Sequence, residues 1–450
     1  MIKFRSCLAL TAALLMACTA ADDDENETIA FELPTAFPST YTPMPSEKTL
    51  ITNAVMIDGT GEPTEANSLL IADGRISAIG VDLTADDATT MDAGGRFVTP
   101  GIIDIHSHLG NYPTPSVNAH GDGNEVTSPI TSEVYAEHGV WPQDPGFDEA
   151  LQGGVTTLHI LPGSANLFGG RGVTLRNMPS RTVQGMKFPD APYTLKMACG
   201  ENPKRVYGSR GGPGSRMGNV AGYRKNWIKA AEYKKKVEDG DEPTRDLQLE
   251  TLAGVLNGDI LIQMHCYRAD EMAQIIDLSK EFGYKITTFH HAVEAYKIGD
   301  LLAENDTCAA MWADWYGFKM ESYDGILENV PFVHAAGACA MIHSDDDKNI
   351  QRLNQEVAKA WANGNRAGLD ISKEEAWTWL STNPAKALGI LDQTGTLEVG
   401  KRADVLVWNG DPFSTFSRPD QVYMDGALMF DRETGLKPQS DFRLGTEIAR

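Results

Sequence analysis

Cysteine is scarce in this chain, six among 450 residues. No two form a Cys-x-x-Cys pair, so a zinc–thiolate knot is not indicated. Basic residues are also few. There are 39 Lys and Arg against 62 Asp and Glu, a formal charge of −23. A clustered basic face for nucleic acid phosphates is therefore not expected. Glycine and proline are not in excess, and apolar content, at 42%, is ordinary for a globular protein, which argues against wholesale disorder. The N-terminal apolar run, Cys7 to Ala17, is too short to span a bilayer stably. The glycine-rich stretch Gly208 to Gly214 lacks the strand-then-helix setting and the Lys-Ser/Thr ending of a phosphate cradle, and reads as a mobile loop.

What is present begins with a basic start, Lys3 and Arg5, before that apolar run and the acidic cluster Asp22 to Glu25. This is the pattern of a secretory signal. Leu15-Met16-Ala17-Cys18 resembles a bacterial lipobox, which makes Cys18 the expected lipidation site; ordinary cleavage after Ala20 is the alternative. The expectation is a protein exported to the periplasm or the cell envelope and held at a membrane by a lipid anchor. A polar stretch, 18–47, reads as a tether. The remaining thiols, Cys199, Cys266, Cys308 and Cys339, lie far apart in apolar runs and are expected to be buried and free, although export would permit a bridge.

Short alternating segments punctuated by Gly and Asp occupy 48–98 and recur in 395–450, so the two ends are expected to build one composite β-domain. Between them, in 99–394, apolar strand-like runs alternate with helical or loop segments, as in a parallel sheet with crossovers. Eight candidates stand at Ile102–His106, Val155–Ile160, Gly172–Leu175, Tyr193–Cys199, Asp259–His265, Lys285–His290, Cys308–Trp312 and Ala338–Ile342. Eight strands suggest an α/β protein, a (β/α)8 barrel with catalytic side chains at the C-terminal strand ends. Long inserts at Gly110–Pro145 and Asn202–Gln248 would lie over that end.

The strongest chemical signal is Ile102-Ile103-Asp104-Ile105-His106-Ser107-His108. Residues i and i+2 of a strand face one way, so both imidazoles converge, a donor set suited to zinc or a similar divalent ion. His265 and His291 close the fifth and sixth candidates, 26 residues apart with a helix-like stretch between, which fits neighbouring strands at one rim. Asp345 follows the eighth. Together these residues outline a one- or two-metal hydrolytic site. Asp346 and Asp347 are expected to be solvated or to cap the next helix.

On these residues the sequence resembles the amidohydrolase superfamily from about Thr49 to its C-terminal region. The resemblance rests on Val98 to His108, Gly153 to Thr157, His265, His291, Ser344-Asp345, Asn383 to Gly389 and Gly395 to Asp404, and is nearest to the imidazolonepropionase-like and prolidase-like branch. It implies that His106, His108 and Asp345 hold one metal and His265 and His291 the other, with zinc the expected ion. His291 is preferred to His290 because His291 to Tyr296 matches the sixth-strand pattern. Strand four would supply a bridging ligand, either a carbamylated Lys196 or Glu201; Glu201, at the strand's end and anionic without modification, is chosen. Tyr267 and Arg268, next to His265, are candidates to polarise a carbonyl or hold a carboxylate.

The implied reaction is hydrolysis of an amide-type C–N bond in a small molecule (a dipeptide, an N-acyl amino acid or a cyclic amide) by a metal-bound hydroxide, with Asp345 as general base and then acid. The alternatives are deamination of a heterocycle on the same scaffold, or a surface-tethered binding protein without turnover. A homo-oligomer is compatible with the sequence.

Overall fold

The computed structural model describes residues 30–34 and 37–435. The expected leader, with Cys18, and residues 436–450 lie outside that range. All eight expected barrel strands form: β1 (Ile102–Ser107), β2 (Val155–Ile160), β3 (Phe168–Arg176), β4 (Thr194–Ala198), β5 (Leu261–Cys266), β6 (Ile286–His291), β7 (Cys308–Met311) and β8 (Ala340–Ile342). They pair in sequence order in one sheet. The sheet closes at its seam through single contacts: the Asp345 amide donates to the His106 carbonyl at 3.0 Å, and the Ser344 amide to Asp104 Oδ1 at 3.1 Å.

One strand departs from the parallel plan. β3 runs antiparallel to both β2 and β4. A parallel crossover needs a dozen or more residues, and the link 161–167 is too short for one, so the chain turns back in a hairpin. The parallel units elsewhere are conventional. The helix Ala269–Phe282 between β5 and β6 buries Met272, Ile275, Ile276 and Ser279, a 3–4 spacing along one face, and ends at Gly283 with φ +74°.

The chain's two ends do build one composite unit. A four-stranded sheet, in the order Arg75–Gly80, Ser68–Ala72, Thr49–Thr52, Thr89–Asp92, faces a five-stranded one. In the second sheet Phe97–Pro100 pairs antiparallel with Val405–Trp408, more than 300 residues later in the chain. Ile51, Leu69, Ile71, Val98, Val405 and Val407 fill the layer between them. A buried ion cluster joins this unit to the barrel. The Arg176 guanidinium forks onto the Asp404 carboxylate at 2.6 and 2.5 Å, while Arg402 binds Asp425 at 2.7 Å.

Two expectations need correction. The described part of the supposed tether is packed against the barrel and the composite unit: Phe31 is buried, Ser39 Oγ donates to the Lys187 carbonyl at 2.6 Å, and the Tyr41 hydroxyl bonds Asp425. Its aromatic residues supply the apolar area that a free linker lacks. The four barrel cysteines are also not free, since Cys199 is bonded to Cys266 and Cys308 to Cys339. Register is the reason. Ala198 lies opposite His265, and Ala309 opposite Ala340, so each cysteine faces its partner across adjacent strands.

Candidate metal centre

Seven of the ten histidines lie along the barrel interior or its mouth, and six of them, all but His108, are buried. The imidazolium pKa values of His106, His265, His290 and His291 are pushed far down, first by burial and then by charged or imidazole neighbours, the Lys196 ammonium among them. His343 is pushed down to about 4, again chiefly by burial. A neutral imidazole keeps a lone pair for a cation.

The His106–His108 pair converges as strand alternation requires, with the two Nε2 atoms 3.3 Å apart. Asp345 Oδ1 lies 3.3 Å from His106 Nε2 and 3.2 Å from His108 Nε2. Three donors bound at about 2.0–2.1 Å with tetrahedral angles would stand about 3.3–3.4 Å apart, so this triangle has the dimensions of one face of a zinc-type site. The hydrogen bonds behind it aim the lone pairs inward. Gln263 Oε1 accepts from His290 Nε2 at 2.6 Å, and His290 Nδ1 then accepts from His106 Nδ1 at 2.8 Å. That chain leaves His106 Nε2 unprotonated. His108 Nδ1 donates to the Leu161 carbonyl at 2.8 Å, which frees its Nε2 likewise.

His291 and His265 stand beside this triangle, their ring centroids 4.7 Å apart, with His291 Nδ1 3.8 Å from Asp345 Oδ2. Consecutive strand residues ordinarily face opposite ways. Here φ of +68° at His291 and +39° at Ala292 twists the strand end so that the rings of His290 and His291 both reach His106. Left-handed backbone at a non-glycine residue is strained, and Asp345 shares it with φ +53°. His290, with both ring nitrogens engaged, is a support, whereas His291 Nδ1 and His265 Nδ1 are buried without a hydrogen-bond partner. Such orphaned atoms are costly unless something binds them, and a metal ion fits the donor set.

Strand four resolves differently from the expectation. Lys196 is wholly buried inside the barrel, its Nζ donating to the Pro162 carbonyl at 2.9 Å, with its pKa lowered by burial to about 7. Glu201 starts the helix beyond the strand and pairs with Lys319 at 3.3 Å, outside the groups whose donor atoms converge. Arg268 is likewise turned away, bound to Asp270 at 2.8 Å on the surface. Tyr267 remains at the mouth beside His265 and His291, in an aromatic wall continued by Trp312 and Trp315. The cation over it is Lys319, whose Nζ is 4.2 Å from the Tyr267 ring centroid.

Three contributors were missed in the sequence. His343 stacks beside His106 at 5.0 Å and shares a potential donor group with His106 and His291. Asp104, buried and pushed up to about 7 chiefly by burial, accepts from the His106 amide at 3.2 Å and from Ser344, tying the first ligand strand to the last. Both lie two residues before a named ligand, so the alternation that singled out His106 and His108 also marks them. Lys319 carries no such signal. Asp346 caps the turn after the site, accepting from the amides of Lys348 and Asn349.

An eight-stranded barrel with a composite β-unit and histidines at its mouth defines a class of metal-site barrel proteins, and comparison with known proteins narrows it. A model of the Amidohydrolase family matches residues 323–431. A solved amidohydrolase from Thermotoga maritima MSB8 is 35% identical and superposes with a TM-score of 0.79, over 86% of this chain and 100% of that one. Amidohydrolase tasK of Hapsidospora irregularis is 31% identical over 431 residues, 85% of this chain but 43% of that protein, so the chain spans less than half that relative's length. Imidazolonepropionase of Rhizobium rhizogenes is 24% identical over 383 residues, 76% of this chain and 86% of the relative. The chain belongs to the amidohydrolase family, a class of hydrolases acting on carbon–nitrogen bonds.

Proposed function

We propose that this protein hydrolyses an amide-type C–N bond in a small molecule, a dipeptide, an N-acyl amino acid or a cyclic amide, at a divalent metal centre with zinc the expected ion. The observation that carries the reading is the triangle of His106 Nε2, His108 Nε2 and Asp345 Oδ1, each 3.2–3.3 Å from the next. His265 and His291 are the donors for a second ion. Lys196, rather than Glu201, is the strand-four residue that would join the two positions, as a carbamate formed on its amine. When bound, the ions would polarise the substrate carbonyl and lower the pKa of a water.

The chain's own groups supply the rest. Burial alone would raise the Asp345 pKa; the imidazoles of His108 and His343 and the Lys196 ammonium beside it outweigh that and hold the carboxyl below its ordinary value. Asp345 is therefore ionised at neutral pH, able to take a proton from the attacking water and pass it to the departing amine. The Asp104–Ser344 contacts hold it for that transfer. Tyr267, Trp312 and Trp315 form an apolar wall that excludes water on one side. Lys319 stands where a substrate carboxylate would be held, the role first assigned to Arg268.

Export remains part of the proposal, and two disulfides in one barrel support it, since such bonds persist in oxidising compartments. The test is metal analysis of the purified chain together with turnover on dipeptides, N-acyl amino acids and cyclic amides. At least one bound divalent ion and amide cleavage, both reduced in His265→Ala, are expected. A chain without metal that cleaves none of these substrates would sink the reading. Release of ammonia from a heterocycle, with no amide cleaved, would make it a deaminase.

A further inference from the structure

The β2–β3 hairpin, 161–167, exists because β3 runs antiparallel, and it ends at the barrel mouth instead of leaving it through an outer helix. Two successive carbonyls of this hairpin face the site. The Leu161 carbonyl accepts from His108 Nδ1 at 2.8 Å, and the Pro162 carbonyl from Lys196 Nζ at 2.9 Å. Backbone groups can aim side chains only if the backbone itself is fixed.

Here the insert after β1 fixes it. Gly163 donates its amide to the Gly123 carbonyl at 2.8 Å, and Asn124 Nδ2 donates to the Gly163 carbonyl at 2.8 Å. Asn124 Oδ1 in turn accepts from the Tyr112 hydroxyl at 3.2 Å, and the Tyr112 ring lies 5.6 Å from that of His108. Asn166, buried at the far end of the hairpin, donates to the carbonyls of Glu125 and Ser128 and to Thr131 Oγ1 at 2.7–2.9 Å. The fit is close: a Cβ on Gly163 would lie 2.2 Å from Asn124 Oδ1.

We propose that Asn124 is a positioning residue of the metal centre, pinning the hairpin so that the Leu161 and Pro162 carbonyls fix the orientation of His108 and the place of the Lys196 amine. The inference rests on the metal-site reading above. Partners that orient a metal-bound imidazole commonly contribute about 10- to 100-fold in metal affinity.

The experiment uses the full chain, with Zn2+ affinity measured by chelator competition, the visible spectrum of the Co2+-loaded protein, and Tm of the metal-free protein. Asn124→Asp keeps the shape of the side chain but removes its donor, and Gly163→Ala displaces the same side chain without deleting a group. Asn177→Ala is the control. It removes two buried hydrogen bonds to the Phe147 and Val155 carbonyls, in contacts that do not involve the ligands. Both hairpin variants are expected to lose about 10- to 100-fold in Zn2+ affinity and to change the Co2+ spectrum, while Asn177→Ala lowers Tm and leaves both unchanged. Wild-type affinity and spectrum in Asn124→Asp and Gly163→Ala would overturn the brace alone. So would an equal loss of affinity in Asn177→Ala at equal loss of Tm. A wild-type chain that takes up no divalent ion would overturn the metal-site reading and the brace together.

Discussion

Lys196 and Glu201 are five positions apart, yet they occupy different chemical settings. Lys196 is enclosed with the histidines, and Glu201 sits at the rim against a lysine. Lys196→Met is therefore expected to lower metal content and reduce turnover by two orders of magnitude or more, whereas Glu201→Gln stays within about threefold of wild type, because a half-buried ion pair at the rim, apart from the converging donors, contributes little. Metal analysis beside kinetics separates the two, and the reverse order would restore Glu201 as the bridging ligand. At the mouth, Lys319→Met should raise KM about tenfold for a substrate with a free carboxylate, with kcat largely kept and the amidated analogue unaffected. Equal losses on both analogues would remove Lys319 from substrate recognition.

At the level of elements, the barrel is held at two kinds of junction, a disulfide between strands and buried ion pairs against the composite unit. The Cys199–Cys266 bond joins the ends of β4 and β5 directly behind His265. Its loop spans 67 residues, for which chain entropy gives about 4 kcal/mol and measured values run nearer 2–4 kcal/mol. The double variant Cys199→Ala/Cys266→Ala should accordingly unfold at lower denaturant with the metal-binding residues intact. An unchanged denaturation midpoint would show that the bond does not stabilise the native state. The Arg176 pairs with Asp404 and Asp425 tie the composite unit to the barrel in a buried setting, and Arg402 binds Asp425 from within that unit. Removing one partner there leaves a charge without compensation, at a cost of about 3–5 kcal/mol. Asp425 adds a pH dependence. Burial would raise its pKa, but Arg176 and Arg402 outweigh it and hold the folded-state value below the ordinary one. The stability it contributes is thus full above the unfolded-state pKa of about 4 and is lost as pH falls through the lower folded value. Arg402→Met should move the onset of acid unfolding to higher pH in a circular dichroism titration. An unmoved onset would exclude this pair as its source.

For the whole molecule, the acidic surface and the two barrel disulfides suit an exported chain, and among the described residues no helix is long and apolar enough to cross a membrane. A lipid anchor on Cys18 is the membrane attachment proposed for this chain. Cys18→Ala should release the protein from the membrane fraction without altering turnover, and retention in that fraction would remove the lipid anchor from the proposal.

Much of this protein was determined by local sequence. Alternation along Ile102 to His108 specified the convergence of the His106 and His108 rings, and apolar runs marked all eight barrel strands. Matching β-patterns at the two ends foretold the composite unit. These features depend on side-chain period and turn chemistry, which neighbouring residues set. What only the tertiary structure decided depends on register and on backbone direction. The disulfides follow from Ala198 lying opposite His265 and Ala309 opposite Ala340, a pairing that no spacing in the chain encodes. The reversal of β3 brings two carbonyls to His108 and Lys196, and a carbonyl has no residue letter to read. Lys196 rather than Glu201 lies enclosed with the histidines because the barrel wall surrounds one and leaves the other at the rim, and burial, unlike alternation, is a property of the closed barrel.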